Sequence, residues 1–340
     1  MPRHLRVDRR RRRAALLTAL LAVSAGGVLL QQREPAPAVR VPETAGASYP
    51  GLYVDPQGAA ADHVRALERG GRKADAAVLR RIADRPAATW FTDARPGYQL
   101  RARRLVHAAA ANRRLPVLAL YYIPHRDCGS HSGGGAPGAR GYRAWIASLA
   151  AALRGRPALV ILEPDAVAQA VRGGCLTARA TAERYALLAH AVDTLRALPG
   201  VTVYLDAGNP TWIPVTRIAP ALRRAGVLRA NGFALNVANF ETTTLNLRYG
   251  TQLSRLVGGR HFVVDTSRNG NGPARRGGGD RHWCNPPGRR LGIPPTLRTG
   301  YPLADAYLWV KRPGESDGAC GNGAPPAGQW YPAYAMALAR

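Results

Sequence analysis

The feature that most constrains this 340-residue chain is a repeated unit: a short apolar run that stops on polar or charged side chains, followed by a stretch with helical periodicity. Ala158 to Asp165, ALVILEPD, is the clearest copy. Its five apolar residues, with Val160 and Ile161 β-branched, read as a strand buried on both faces. Pro164 forbids a helix from continuing directly, so Glu163 and Asp165 are delivered to the strand's tip. The same reading gives strands at Ala88 to Phe91, Pro116 to Ile123, Val201 to Leu205, Gly232 to Val237, His261 to Val264 and Ala306 to Val310.

Helical spacing of apolar residues places helices near Ala74 to Ile82, Leu100 to Ala111, Tyr142 to Leu153, Ala178 to Leu198 with Thr177 as N-cap, Pro214 to Ala225, and Tyr249 to Val257. Seven strands, roughly 30 to 45 residues apart and alternating with helices, predict consecutive βα units around a parallel sheet. A doubly wound sheet normally announces itself with a Gly-rich first βα turn, and none follows ATWF. The expected fold class is therefore α/β, a seven-stranded parallel barrel of the TIM-barrel kind, whose strand tips converge on one face and build the site. One catalytic domain is expected over residues 49–340.

With 46% hydrophobic residues the chain can bury a large core. Its formal charge of +27 comes almost entirely from Arg, only Lys73 and Lys311 being Lys, and beyond the N-terminus these charges are scattered along the sequence. No aromatic-and-basic interleaving or reader motif accompanies them, so no nucleic-acid partner is expected. Residues 1–30 read as a signal peptide, with the basic run Arg9 to Arg13, an apolar stretch, and Val23-Ser24-Ala25 suited to cleavage after Ala25. An uncleaved membrane anchor running on to Leu30 is the alternative; either way the domain is exported. Residues 31–48, Pro- and Ala-rich, read as a linker.

Cys128, Cys175, Cys284 and Cys320 fit an exported protein with two disulfides, and the sequence alone allows three connectivities. Cys128 and Cys175 follow strands two and three, and Cys284 and Cys320 follow strands six and seven. Sequential pairing would therefore staple adjacent loops.

Collected at the tips are Asp127, Glu163, Asp165, Asp206, Asp265, Glu315 and Asp317, with Arg126 and Lys311, and with Trp90, Tyr121, Trp212 and Trp283 nearby. No His pair at metal-ligand spacing, no Gly-x-Ser-x-Gly elbow and no phosphate-cradling loop stands with them. Carboxylates beside flat aromatics suit sugar: rings stack on pyranose faces, and a carboxyl pair can cleave an acetal through an oxocarbenium-like transition state. Crowded carboxylates also raise one another's proton affinity, which keeps one protonated as a general acid. Any one tip Asp taken alone is more ordinarily a helix cap or an Arg partner. Convergence of six tips is what favours chemistry.

YYIPHRDC from Tyr121 to Cys128 with the Ser-Gly-Gly loop after it, ILEPD, YLDAGN followed by Trp212, NVANF, DTSRNGNGP, WCNPPG and WVKRPGESDG together resemble family 6 of the glycoside hydrolases, from about residue 50 to the C-terminus. The resemblance implies a distorted βα barrel and hydrolysis of β-1,4-glucan with inversion, without metal or other cofactor. Glucan polymer or oligosaccharide is the implied partner; no stable protein partner is implied, and a monomer is expected. Carried over motif by motif, Asp165 matches the general acid, Asp127 the carboxylate that keeps that acid protonated, and Asp317 the base, acting directly or through a chain of waters. Tyr121 and Ser132 match groups around the reactive sugar, Asn239, Lys311 and Glu315 hydroxyl ligands, Trp212 and Trp283 stacking platforms, and Asp206 and Asp265 supporting carboxylates. Asn209 stands as a sugar contact where the family often has His, and Leu52 lies where tunnel-type members place a Trp. Cys320 follows Asp317 by three residues, leaving no room for the insertion that roofs chain-end enzymes. An open cleft and an endoglucanase are therefore expected, with a chain-end cellobiohydrolase or a non-catalytic glycan-binding protein as the alternatives.

Overall fold

The apolar runs become one parallel sheet. In the computed structural model, which describes residues 50–275, 282–321 and 323–340, the strands are β1 (Thr89–Phe91), β2 (Val117–Leu120), β3 (Ala158–Leu162), β4 (Val201–Asp206), β5 (Gly232–Leu235), β6 (His261–Asp265) and β7 (Ala304–Leu308). They pair in sequence order, each parallel to the next. The sheet curls until β1 meets the end of β7, where the Ala88 N–H donates to the Trp309 carbonyl (2.9 Å) and the Trp90 indole to that of Val310 (2.8 Å). No strand ladder closes this seam, so the barrel is distorted and open at one edge pair. The expected signal peptide and the whole of the expected linker lie outside the described residues.

Strand alternation sorts the core into two layers. Val117, Ala119, Leu159, Ile161, Tyr204, Ala234, Val263, Ala306 and Leu308 fill the barrel, while their neighbours Leu118, Leu120, Val160, Leu162, Val203, Phe233 and Val264 pack outward against the helices. Leu52 is buried inside the barrel, so it belongs to the core. The outer ring is α1 (Ala59–Arg69), α2 (Lys73–Ala83), α3 (Tyr98–Ala111), α4 (Ala139–Leu153), α5 (Ala166–Arg172), α6 (Ala178–Arg196), α7 (Val215–Arg224), α8 (Thr243–Leu256) and α9 (Pro332–Ala339). Thr177 caps α6 as expected, its Oγ1 accepting from the Ala180 N–H (3.2 Å). Among the described residues no helix is long and apolar enough to cross a membrane.

Several expected boundaries shift, and the tip carboxylates explain most of the shifts. β2 ends at Leu120, because the Tyr122 and Ile123 N–H groups turn away to the Glu163 carboxylate (3.0 Å each). β7 ends at Leu308, because the N–H groups of Val310 and Lys311 turn to Asp265 (3.3 and 2.9 Å). Pro164 does not hold off a helix: Glu163 (φ 49°) and Asp165 (φ 67°) turn the chain through the left-handed region, and α5 starts at Ala166. α8 starts at Thr243, six residues earlier than expected, under a Thr242 cap. α1 and α9 were not foreseen.

Close strand approach depends on Gly232. A Cβ there would sit 2.0 Å from the His261 carbonyl oxygen, which is β6 backbone. Gly232→Ala is therefore expected to lower the unfolding free energy by about 1–3 kcal/mol, read from the denaturant midpoint. An unchanged midpoint would contradict the packing described.

Candidate active site

The chain turns sharply where each strand ends. Among the described residues, nine other than Gly have positive φ, and all but Arg113 lie in the loops that follow β2, β3, β5 and β6. Such backbone is held only where its surroundings over-determine it, so the strain gathers on one face. That face carries the carboxylates.

After β2, Arg126 fixes the loop. Its guanidinium donates to the carbonyls of Ser132 (2.7 Å), Thr92 (2.7 Å), Tyr121 (2.8 Å) and Gly133 (3.0 Å), and lies 4.9 Å from the centre of the Tyr121 ring. Trp90 meets Tyr121 edge-on at 5.5 Å, so Trp90 is a wall behind that ring. The loop returns the Ser132 N–H to Asp127 Oδ2 (2.8 Å), while the Gln169 side-chain amide from α5 donates to Oδ1 (3.2 Å). Arg184 on α6 orients Gln169 through its Oε1 (3.4 Å).

After β3 and β4 the carboxyl groups crowd. Glu163, fully buried, has its pKa raised to about 7 by burial, against the opposing effect of the two N–H groups it accepts. Its two backbone donors make it the cap of the β2 tip. Asp206 is raised to about 7, again by burial first and by Asp265, although its Oδ2 accepts from the N–H groups of Asp165 (2.8 Å) and Gly208 (3.1 Å). Asp165 is held well above the usual carboxylate range by desolvation, by Asp206 and by Asp127. Of all these tip carboxyl groups, only that of Asp165 has no hydrogen bond or ion pair among the described residues. Asn209 is buried and accepts from the Thr211 N–H (3.0 Å) and hydroxyl (2.9 Å), and Trp212 lies over Gly208.

After β5, β6 and β7 the sign of charge changes. Asp265 ties three tips together, accepting N–H groups from Ala238, Ser267 and Lys311 (3.0, 2.9 and 2.9 Å). Asn239 donates its side-chain amide to the Val237 carbonyl (3.0 Å). Asp317 sits between two cations, Arg268 at 2.8 Å and Lys311 at 3.3 Å, and accepts the Asn285 N–H (2.9 Å). Burial alone would raise its pKa, but Arg268 and Lys311 outweigh burial and hold it below the ordinary value. Lys311 is itself lowered by burial, and Glu315, raised by burial, pairs with Arg312 at 3.1 Å.

The disulfides pair as expected, Cys128 with Cys175 and Cys284 with Cys320. Trp283 packs against His131 from the β2 loop (5.7 Å), and the same imidazole lies against Gly318 beside Asp317. The β2 loop and the loops after β6 and β7 thus meet across the mouth.

The structure therefore gathers Asp127, Asp165 and Asp206, joins them through Asp265 to Lys311 and Asp317, and places Tyr121, Ser132, Trp212, Asn239, Trp283 and Glu315 on the same tips. Sequence reasoning missed Gln169 and Arg268. Gln169 stands one helical turn after Asp165, a spacing visible once a helix is read there. Arg268 stands three residues after Asp265, inside a tip segment. A protonated carboxyl and an ionised one on one face can together donate and accept a proton, which is the requirement for cleaving an acetal.

Residues 48–340 match the sequence pattern of the glycosyl hydrolases family 6. Endoglucanase A of Cellulomonas fimi is 43% identical over 293 residues, which cover 85% of this chain and 61% of that protein, so the chain spans about three fifths of that relative's length. Endoglucanase 1 of Streptomyces halstedii is 42% identical over 296 residues, 85% of this chain and 88% of that protein. The endoglucanase Cel6 from Mycobacterium tuberculosis, solved in complex with a methyl-cellobiosyl thio-cellobioside, superposes with a TM-score of 0.79 at 45% identity, covering 86% of this chain and 97% of that one. With the barrel, the tip carboxylates and the sequence in agreement, the chain belongs to family 6 of the glycosyl hydrolases.

Proposed function

We propose that this chain is an exported, inverting endo-β-1,4-glucanase that works as a monomer without a cofactor. The observation that carries the reading is the Asp165 carboxyl, desolvated, uncommitted to any partner among the described residues and crowded by two other carboxylates. Such a group keeps its proton to higher pH than an ordinary aspartate and can give it to a glycosidic oxygen. Asp127, held by Ser132 and Gln169, supplies charge that keeps Asp165 protonated and favours the oxocarbenium-like sugar. As the bond to the leaving oxygen breaks, a water attacks C1 from the opposite face, and its proton passes to Asp317 directly or through further waters. Tyr121 and Ser132 surround the reactive sugar, Asn209, Asn239, Lys311 and Glu315 meet hydroxyls, and Trp212 and Trp283 offer faces for stacking. The endo reading rests on the three-residue step from Asp317 to Cys320 and on relatives named endoglucanases at 41–43% identity, against relatives named exoglucanase or cellobiohydrolase at 31–34%.

Proton NMR of fresh product tests inversion: the α anomer should appear first, and a β-first product excludes the scheme. On carboxymethyl-cellulose, viscosity should fall early relative to reducing-end release. A slow viscosity fall at high sugar release would favour chain-end attack.

The pH dependence has a definite sign. Asp165 must be protonated, so activity falls as pH rises through its raised pKa; Asp317 must be ionised, so activity falls as pH drops through its depressed one. Asp206→Asn removes one of the charges that raise Asp165 and should move the alkaline limb of kcat/KM to lower pH. A limb that stays in place or moves upward would separate Asp206 from the acid.

A further inference from the structure

Between Arg95 and Arg156 the only acidic residue is Asp127, and it is turned into the active site. Folding collects what looks scattered along the sequence. α3 and α4 pack side by side, and their outward faces carry Arg103, Arg104, Arg140 and Arg143, with Arg95 at the upper end of α3 and Arg154 at the lower end of α4, all exposed. None of the six guanidinium groups has an ion pair or hydrogen bond among the described residues. Four exposed arginines elsewhere have a carboxylate partner: Arg65 with Asp62, Arg72 with Asp75, Arg80 with Glu68 and Arg229 with Asp193. Asp93, just before α3, pairs with Arg101 (3.7 Å), and these six guanidinium groups are left as a cationic surface with no carboxylate partner among the described residues.

We propose that this face docks an acidic polysaccharide, a polymer with carboxylate groups on its sugar residues, alongside the neutral chain held in the cleft. The charges are all guanidinium, whose planar fork matches a carboxylate in two parallel hydrogen bonds. Arg140 and Arg143 stand one turn apart on α4, about 5–6 Å between side chains, and Arg103 and Arg104 add to them on α3; Arg101, one turn before Arg104, is taken by Asp93 (3.7 Å). Repeated charge at that spacing suits a polymer with one carboxylate per sugar. The aromatic residues of the two helices, Tyr98, Tyr142 and Trp145, are buried, which leaves no platform for stacking nucleic-acid bases. Leu100 is the one large exposed hydrophobic there, too little to insert into a bilayer. The helices also start at the cleft rim, α4 directly after the loop that carries Ser132. A polymer lying along them would reach the edge of the cleft.

The test uses the full chain and fluorescently labelled polygalacturonate, with the fully methyl-esterified polymer as the same backbone without charge. Binding to polygalacturonate should weaken steadily with added salt, since exposed charges are screened within about 8 Å at 0.15 M, and the ester should not bind. Replacing Arg103, Arg104, Arg140 and Arg143 together by Gln, or by Glu, should raise Kd by about tenfold or more, with kcat/KM on soluble cello-oligosaccharide unchanged. Unaltered affinity in both variants, or equal binding of the ester, overturns the proposal. Tighter binding of duplex DNA or of phosphatidylglycerol vesicles at the same ionic strength overturns the choice of polymer.

Discussion

Asp165→Ala is expected to lower kcat on unactivated cello-oligosaccharides by about 10²- to 10⁴-fold, the range for loss of a positioned general acid. The size of the loss depends on how badly the leaving group needs a proton. A glucose hydroxyl is a poor leaving group; a dinitrophenolate is a good one. Stopped-flow comparison of the variant on cello-oligosaccharide and on dinitrophenyl cellobioside should therefore show a large loss on the first and a small one on the second. Equal losses on both would mean that Asp165 shapes the site without donating the proton, and near-normal rates on both would remove it from the mechanism. Folding is not expected to confuse the result, because the Asp165 carboxyl accepts no hydrogen bond among the described residues whose donor would be orphaned.

Asp317→Ala is expected to do two things at once. Its carboxylate is the counter-charge for Arg268, which is wholly buried, and for Lys311, which is nearly so. Removing one partner from a buried ion pair destabilises by about 3–5 kcal/mol because the remaining charges lose compensation. Calorimetry should show the fall. If Asp317 also accepts the proton from water, kcat should drop by about 10²-fold or more, and added azide, a nucleophile that needs no base, should restore turnover without restoring the melting temperature. A variant that melts early but turns over normally would leave Asp317 as an anchor only. The ion-pair contribution also has a pH signature. Because the folded pKa lies below the ordinary aspartate value of 3.8, the contribution is fully present above that value and is lost as pH falls through the lower folded one.

Much of this was legible in the chain because parallel strands buried on both faces leave unbroken apolar runs, and five of the seven runs led to a named carboxylate. The disulfide pairing followed from strand order for the same reason. What was not legible has identifiable causes. α9, PAYAMALA, is half Ala, which gives little apolar contrast to reveal a period; α1, AAADHVRALER, does bury Val64 and Leu67 at helical spacing, so its period was legible. α5 was hidden by Pro164, which stops a helix only if the chain goes on in one direction; two residues at positive φ reset it. The strand ends were overestimated since Tyr122, Ile123, Val310 and Lys311 are apolar or flank apolar residues, yet their N–H groups belong to side-chain carboxylates on neighbouring strands. Gln169 and Arg268 act through groups brought near only by folding, 42 and 49 residues from Asp127 and Asp317. No local pattern marks such partners.

The seam between β1 and β7 has a mechanical consequence. A closed barrel is a hoop, and widening it at one point strains every strand; a split hoop gives at its gap. Here the gap lies between the strand that carries Trp90 and the strand that leads to Lys311 and Asp317, while Asp165 and Asp206 sit on the arc diametrically away from it. Local opening of the sheet is therefore expected to begin at these two ends, held by the Ala88 and Trp90 bonds, before it reaches the continuous ladders around Asp165 and Asp206, and amide exchange should be faster at the seam.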